Sequence, residues 1–434
     1  MYPVGSQKFK IHGYPSDIDL MEEIKVCCDL VDTISYVAKH LKRGASEGPE
    51  MKYLIIATLT YVLLGCAQPK LDELSLSAME NTGEPNLHVA SDGSVTLTYL
   101  QQAQGIATLY VRKLIEDRWS EPRKVTQGAD LLVNWADFPT LIEVDDRLTA
   151  QWMIRNQSPG FAYDVYTASS VDDGATWSPP QRLHADTSAT EHGFVSLYQG
   201  ANGVGAFWLD GQRYAQDDAP DGMELRHRLL DSVGSKTEDI VDALVCDCCQ
   251  TDVAVVDGSP LVVYRDRSEA NIRDISLARQ ENGVWVTTPV AQEGWYITGC
   301  PVNGPAIAAA KGVVAVAWFT AMPVNSVRVA FSFDGGRSFE APVEVSQEDP
   351  VGRVDLVLDA SGGALVSWLS TDLDGFVYRR VQQTGEMDEI NLVAPMASHR
   401  KAGFPRMVQS DNRLLFAWTD TSGETPVVRS MRTL

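Results

Sequence analysis

The sequence predicts an all-β fold, a β-propeller built from four-stranded blades. An aromatic residue recurs late in an apolar, β-like segment at intervals of 50 to 56 residues: Tyr99, Trp152, Trp208, Tyr264, Trp318, Trp368 and Trp418. Between these aromatics, short apolar segments alternate with turn residues and helical periodicity is absent. Seven aromatic units favour seven blades, with six as the alternative.

Each unit contains segments suited to four short strands, with the aromatic residue on the second. Two units show first strands at 140–144 and 306–310, third strands at 164–169 and 327–332, and fourth strands at 181–183 and 343–345. The last unit, residues 405–434, has room for only three strands. We therefore expect residues 71–77 to supply its fourth strand and close the ring, which leaves no long exposed sheet edge.

A turn motif precedes the fourth strand of two units. SVDDGATW at 170–177 and SFDGGRSF at 332–339 share the form S-x-D-x-G-x-[ST]-aromatic, with degenerate copies near Trp119 and Trp285. In such a turn, Asp accepts hydrogen bonds from turn amides and Gly adopts positive φ. With these motifs and the blade period, residues 84–434 resemble the Asp-box (BNR repeat), sialidase-like propellers. The resemblance implies that the Asp boxes are structural and lie on the face opposite the active site.

The N-terminal part resembles the export signal of a bacterial lipoprotein. Lys52 is followed by the uncharged apolar run 53–64, and Leu63-Leu64-Gly65-Cys66 resembles a lipobox whose Cys is lipidated. Residues 51–65 are thus expected to be a signal peptide and residues 66–83 a lipidated tether that includes the closing strand. Because a signal peptide works at the start of a chain, we interpret residues 1–50 as a mis-assigned upstream extension; a genuine cytoplasmic extension is the alternative.

The charge balance argues against nucleic acid as a partner. The formal net charge is −22, and a surface that acidic repels nucleic-acid backbones. The expected contacts are a lipid anchor in a bacterial membrane, on the side facing the periplasm or the exterior, and a glycan or other small acidic ligand. No cofactor or metal is expected.

Candidate binding residues collect on one face, which we call the mouth. In a four-stranded blade, the loop from the second to the third strand and the connection to the next blade share a face, where binding usually occurs. Arginine, histidine and aromatic residues are frequent in these segments. The candidate substrate-binding residues are Arg265, Arg353, Arg406, Arg155, Arg273, Trp135, His192, Trp295 and Asn303.

The sialidase resemblance implies three arginines that bind a carboxylate, a Tyr nucleophile activated by a carboxylate, and an Asp acid. Arg265, Arg353 and Arg406 are the candidates for the arginines, and Asp266 and Asp137 for the acid. Tyr264 or Tyr214 is the candidate nucleophile. The Phe-Arg-Ile-Pro motif that carries the family's first arginine is absent, because residues 83–86 read Gly-Glu-Pro-Asn.

Four cysteines lie at the entries to two successive blades: Cys246, Cys248, Cys249 and Cys300. Export to an oxidising compartment favours disulfides. Two bridges would use all four, and a link to Cys300 across two blades is the pairing easiest to picture. A thiolate metal site is the alternative.

Two functions remain open. The chain is either an exo-acting glycoside hydrolase on acidic glycans or a non-catalytic glycan-binding or protein-interaction propeller. The missing arginine motif favours the second and the cation-rich mouth favours the first. One propeller scaffold carries many functions, so the fold does not decide between them.

Overall fold

The computed structural model describes residues 69–76, 79–156, 162–201, 203–216, 222–230, 237–346 and 349–434. The predicted extension 1–50, the predicted signal peptide 51–65, Cys66 and Ser77 lie outside these residues. Within the described residues, no helix is both long and apolar enough to cross a membrane.

Seven antiparallel sheets form the seven blades of a β-propeller, which confirms the predicted fold class. Each blade contains four main strands, and consecutive strands in the chain are neighbours in the sheet. Blade 1 is β2 (Thr82–Val89), β3 (Val95–Ala103), β4 (Ile106–Ile115) and β6 (Arg123–Gly128), with the short β5 (Arg118–Trp119) also on β4. Blade 2 is β7 (Thr140–Val144), β8 (Arg147–Arg155), β9 (Tyr163–Ser170) and β10 (Gln181–Arg182).

Blades 3 to 6 repeat this order, and two short 3-10 helices, η1 (Gln212–Ala215) and η2 (Arg400–Ala402), lie in connecting segments. Blade 3 is β11 (His192–Gly200), β12 (Gly203–Asp210), β13 (Met223–Leu230) and β14 (Asp239–Val245). Blade 4 is β15 (Asp252–Val256), β16 (Ser259–Arg265), β17 (Ile275–Glu281) and β18 (Val284–Pro289). Blade 5 is β19 (Ala306–Ala310), β20 (Val313–Thr320), β21 (Ser326–Ser332) and β22 (Val343–Glu344). Blade 6 is β23 (Pro350–Leu358), β24 (Ala364–Ser370), β25 (Gly375–Val381) and β26 (Asn391–Pro395).

Blade 7 combines the two ends of the described chain. It contains β27 (Arg406–Ser410), β28 (Arg413–Asp420), β29 (Val427–Thr433) and, as its outer strand, β1 (Leu71–Glu73). β1 pairs antiparallel with β29, with Leu71 opposite Thr433. Backbone hydrogen bonds extend the pairing, from Leu74 N to Ser430 O (2.9 Å) and from Leu434 N to Lys70 O (3.0 Å). The predicted closure by an N-terminal strand is confirmed.

The recurring aromatics explain why the sequence has this period. Each lies on the second strand of its blade, and none is more than 3% exposed. Trp152 of blade 2 packs with Leu100 and Leu109 of blade 1, and Tyr99 of blade 1 packs with residues of blade 7. The other five likewise contact the preceding blade. One large buried ring per blade therefore seals each interface and makes the repeat visible in the sequence.

The two turn motifs have the hydrogen bonds expected of them. Thr176 donates to Asp172 through both its backbone N–H (2.8 Å) and its hydroxyl (2.6 Å). Gly174 has φ 81°, and its N–H donates to the Ser170 hydroxyl at 2.8 Å. Asp334 accepts equivalent bonds from Ser338. Both turns join the third and fourth strands of a blade and so lie on the face opposite the mouth.

One disulfide crosses between blade connections. It links Cys248, before blade 4, to Cys300, before blade 5, with a Cα–Cα distance of 6.2 Å. Cys246 and Cys249 are buried free thiols whose sulfur atoms lie 3.4 Å apart. The chain thus forms the predicted link across blades, while the second bridge expected from the cysteine count is absent from the described residues.

Candidate ligand-binding site

A cavity of about 220 Å³ lies at the inner edge of the blades. Its lining comes from the first strands of several blades and from the segments that precede them. Polar side chains face it, among them Asn86, Asp137, Gln250, Asp252 and Arg406. Burial raises the pKa of Asp252 to about 6, and its carboxylate accepts a 2.8 Å hydrogen bond from Ile307 N.

Arg265 is 1% exposed and has protein partners for its whole guanidinium group. It donates to the carbonyl oxygens of Asn303 (2.9 Å), Arg273 (2.7 Å) and Phe319 (2.8 Å). Its guanidinium carbon also lies 4.7 Å from the centre of the Trp295 ring. Arg265, Trp295 and Asn303, all predicted to bind substrate, lie together in the structure, and their contacts join blades 4 and 5.

Arg353 is also buried and also donates to carbonyl groups. Its guanidinium binds the carbonyls of Gly403 (2.7 Å) and Ser398 (2.9 Å) and lies 5.1 Å from the centre of the Trp135 ring. Burial lowers its pKa to about 10. Because Arg353 N donates to the Asn303 side chain at 2.7 Å, Asn303 connects the surroundings of both arginines.

The remaining candidate arginines have separate environments. Arg406 pairs with Asp355 at 3.3 Å, and Arg273 donates to the Cys246 sulfur at 3.0 Å. Arg155 is exposed at the end of β8. Arg265, Arg353 and Arg406 are therefore each bound to a different set of protein atoms. Because Arg265 and Arg353 already donate to backbone carbonyls, the three arginines do not form a set of free donors for a ligand carboxylate.

The candidate nucleophile Tyr264 and the neighbouring candidate acid Asp266 also have hydrogen-bond partners within the protein. Tyr264 is 1% exposed and donates its hydroxyl proton to Asp242 at 2.7 Å. Asp266 accepts from the Ser276 hydroxyl at 2.9 Å and from Arg267 N at 2.6 Å. Burial raises the pKa of Asp266, and the nearby Asp242 adds to this effect. Tyr214, by contrast, is 45% exposed in η1.

A different tyrosine lies between two carboxyl groups. Tyr163, the first residue of β9, has its hydroxyl 2.7 Å from Asp137 and 2.6 Å from Glu191. Burial is the main cause that raises the pKa of both carboxyl groups to about 7. One hydroxyl proton cannot serve two carboxylates at once, so protonation of either carboxyl group would supply the second hydrogen bond. Gly193 makes room for the cluster, because a Cβ there would overlap Asp137.

Sequence reasoning identified Asp137 but missed its partners. Tyr163 is separated from Asp137 by 26 residues and from Glu191 by 28. The available signal was positional: all three residues stand next to mouth segments of blades 1, 2 and 3. Tyr163 and Asp137 are each 2% exposed, while Glu191 is half-buried and forms the accessible side of the cluster.

Aromatic rings remain accessible at the mouth. Trp135 is half-buried and stacks on Phe404 with ring centres 5.8 Å apart. Arg400, an exposed residue of η2, places its guanidinium carbon 5.7 Å from the centre of the same ring. Tyr296, in the connection between blades 4 and 5, is 61% exposed. These rings offer accessible apolar faces at the mouth.

No family model matches the chain, and no curated protein matches it. Among solved structures, it is similar to a protein of unknown function from Dyadobacter fermentans, with 14% identity, a TM-score of 0.47, and coverage of 85% of this chain and 99% of that one. It is also similar to an alpha-L-arabinanase from Penicillium chrysogenum complexed with arabinobiose, with 12% identity, a TM-score of 0.46, and coverage of 85% of this chain and 98% of that one. A sialidase from Streptococcus pneumoniae is similar as well, with 10% identity, a TM-score of 0.42, and coverage of 84% of this chain and 70% of that one. These likenesses concern the fold alone.

Proposed function

We propose that this propeller binds a glycan at its mouth, and that the sugar it takes is neutral. The observation that carries the proposal is that two of the three arginines predicted to bind a carboxylate have no free donors, because Arg265 and Arg353 donate to backbone carbonyls. Arg406 lines the cavity, and its Nε pairs with Asp355. A sialidase-type site needs three arginines whose donors are free to meet one carboxylate. A neutral sugar needs apolar ring faces and acceptors for its hydroxyl groups, which Trp135, Tyr296 and Glu191 supply.

Glycan binding is tested with two exposed aromatics on opposite faces. Tyr296→Ala removes a ring at the mouth, and Phe333→Ala removes a 52% exposed ring in the turn on the opposite face. We expect wild-type protein to bind neutral glycans on an array in preference to sialylated ones. Tyr296→Ala should weaken this binding about tenfold and Phe333→Ala should leave it unchanged. Preference for sialylated glycans, or equal effects of the two variants, would overturn the proposal.

Hydrolysis of the bound glycan is the second candidate function. It is favoured by Glu191, a half-buried carboxyl group whose pKa burial raises to about 7, the range suited to a general acid or base near neutral pH. The buried Tyr163 hydroxyl, 2.6 Å away, holds this carboxyl group in place. Release of sugar by wild-type protein but not by Tyr163→Phe or Glu191→Gln, with glycan binding retained, would support an enzyme. Binding without release from any glycan bound on the array would support a non-catalytic propeller.

We further propose that the protein is exported and anchored to a membrane through a lipid on Cys66. The support is the lipobox-like sequence Leu63–Cys66 after an uncharged apolar run. Cys66→Ser should accumulate unprocessed precursor and lose metabolic labelling with a fatty acid. Normal processing and unchanged membrane fractionation of this variant would contradict the proposal.

A further inference from the structure

Four cysteines lie together at the mouth. Cys246, Cys248 and Cys249 belong to the connection between blades 3 and 4, and Cys300 belongs to the connection between blades 4 and 5. Cys248 and Cys300 form the disulfide, whereas Cys246 and Cys249 are free thiols. The glycan binding proposed above makes no use of this group.

The disulfide and the thiols differ in their access to solvent. Cys300 is exposed and Cys248 is half-buried, so the disulfide can be reached from the mouth. Cys246 and Cys249 are each 1% exposed. An external molecule can therefore contact the disulfide but not the two thiols.

The sulfur atoms are close enough to exchange bonds. Cys246 Sγ lies 3.4 Å from Cys249 Sγ and within 4.8 Å of both disulfide sulfurs, those of Cys248 and Cys300. Cys246 and Cys249 also have the C-x-x-C spacing found in redox-active dithiols. Cys246 is therefore in reach of a thiol with which it can form a disulfide and of an existing disulfide that it can attack.

Two buried arginines favour the thiolate form of Cys246, which is the form that attacks disulfides. Arg273 is 3% exposed and donates to Cys246 Sγ at 3.0 Å, while its contact with the Asp247 carboxylate is long, at 3.9 Å. Arg265 donates to three carbonyl groups. A hydrogen bond with Cys249 is the main cause that lowers the pKa of Cys246, and the charges of both arginines lower it further.

We propose that the four cysteines form a two-electron relay that reduces small-molecule disulfides at the mouth. In the first step, the Cys246 thiolate attacks Cys248 Sγ, so that a Cys246–Cys248 bond forms and Cys300 leaves as a thiolate. Cys300 is the better leaving group because its exposed sulfur is solvated. Cys249 then attacks Cys246, and its proton passes to Cys248 as that sulfur leaves.

The electrons of the buried thiols then reside on the accessible pair. The Cys300 thiolate attacks an external disulfide R–S–S–R, which gives a mixed disulfide and releases one thiolate R–S⁻. Cys248 attacks Cys300 in turn, restores the Cys248–Cys300 bond and releases the second thiol with its own proton. The external disulfide is thereby reduced to two thiols, while Cys246 and Cys249 are oxidised to a disulfide.

The test follows the coloured thiolate that is released from the aromatic disulfide dithiobis(nitrobenzoate). The parent protein is the full-length chain with Cys27→Ser, Cys28→Ser and Cys66→Ser, purified without reductant, so that only the four clustered cysteines react. We expect it to release two equivalents, because the cluster holds two thiols. Peptide maps of acid-quenched protein should show the disulfide Cys248–Cys300 alone before the reaction, and a second disulfide between the buried cysteines after it.

Three variants separate the relay from a direct reaction of the buried thiols. Cys249→Ser should release one equivalent, with the reagent attached to Cys300. Cys246→Ser lacks the attacking thiolate and should release none in the time that the parent needs to finish. The double variant Cys248→Ser/Cys300→Ser keeps both buried thiols and should also release none. Circular dichroism would verify the fold of each variant.

The role of Arg273 is tested through the pH dependence of the rate. Arg273→Met should slow the release at neutral pH and approach the parent rate at alkaline pH, where the thiol ionises without help from the guanidinium group. The exposed Arg155→Met is the control and should react like the parent at every pH. Absence of release from the parent, release from the double variant at the parent rate, or attachment of the reagent to Cys246 in Cys249→Ser would overturn the proposal.

Discussion

At the scale of single residues, Arg265 illustrates a buried charge used for structure. Its three carbonyl acceptors come from separate segments, at Arg273, Asn303 and Phe319. Arg265→Met would leave all three carbonyls without a donor. We expect a loss of about 3 kcal/mol or more in the free energy of unfolding, measured by denaturant titration. The exposed Arg155→Met serves as the control and should stay within about 0.5 kcal/mol of wild type. A stable Arg265→Met variant would contradict this role.

Asp172 should contribute to the acid stability of the propeller. Hydrogen bonds from the Thr176 side chain and backbone, and then from Ser170, lower its pKa to about 2. Its ordinary value is about 3.9. A lowered pKa in the folded state gives stability that is present above about pH 4 and is lost as the pH falls through 2. Melting temperatures of Asp172→Asn and wild type should therefore differ at pH 6 and converge toward pH 2.

The neighbouring Asp173 provides a control for this pH effect. It is exposed and makes a side-chain contact with Lys113 at 2.5 Å, outside the turn itself. Asp173→Asn should retain most of the wild-type melting temperature at pH 6. A constant difference between Asp172→Asn and wild type from pH 6 to pH 2 would show that the turn bonds do not depend on the charge of Asp172.

At the scale of strands and loops, the sequence was informative wherever the signal was local or repeated. The strand pattern and the turns at Asp172 and Asp334 depend on residues within about ten positions of one another, and the second-strand aromatics recur at intervals of 50 to 56 residues. Strand β1 was also predictable, because the last unit lacked a strand. Its register with β29, in contrast, is set by contacts between the two ends of the chain.

The side-chain hydrogen bonds between residues of different blades were not predictable from the sequence. Tyr163 contacts Asp137 and Glu191 only because blades 1, 2 and 3 meet at the mouth. The arginines also show that contacts between blades are not visible in the sequence. Their positions at the mouth followed from the repeat, but whether their donors are free depends on carbonyl groups in neighbouring blades. The sequence could therefore predict which face holds the site but not which side chains are available there.

The disulfide Cys248–Cys300 joins segments 52 residues apart. Such a cross-link restricts the unfolded chain, and its removal typically costs about 2–4 kcal/mol. Cys300→Ser should lower the free energy of unfolding by that amount. Reductant should destabilise wild-type protein and have little further effect on Cys300→Ser, which makes the variant its own control. Peptide mapping that pairs Cys246 with Cys249 instead would contradict this assignment.

At the scale of the whole molecule, the ring depends on a strand from the N-terminal side of the domain. Residues 69–76 supply β1, the backbone hydrogen bonds to Ser430 and Leu434, and the buried side chain of Leu74, which is 3% exposed. Deleting them would leave β29 as an open edge and expose part of the core shared by blades 1 and 7. We expect a loss of several kcal/mol in the free energy of unfolding and an increased tendency to aggregate.

The matched control keeps the strand and removes only its charges. Asp72 pairs with Arg432 at 3.2 Å and Glu73 with Arg429 at 3.3 Å, and both acids are largely exposed. Exposed ion pairs contribute about 0–1 kcal/mol, so the double variant Asp72→Asn/Glu73→Gln should unfold close to the wild-type midpoint. Denaturant unfolding and size-exclusion chromatography would compare the three proteins. If the deletion variant unfolded like wild type and stayed monodisperse, the seven blades would hold together without β1, and ring closure would have to come from the contacts between β2 and the strands of blade 7.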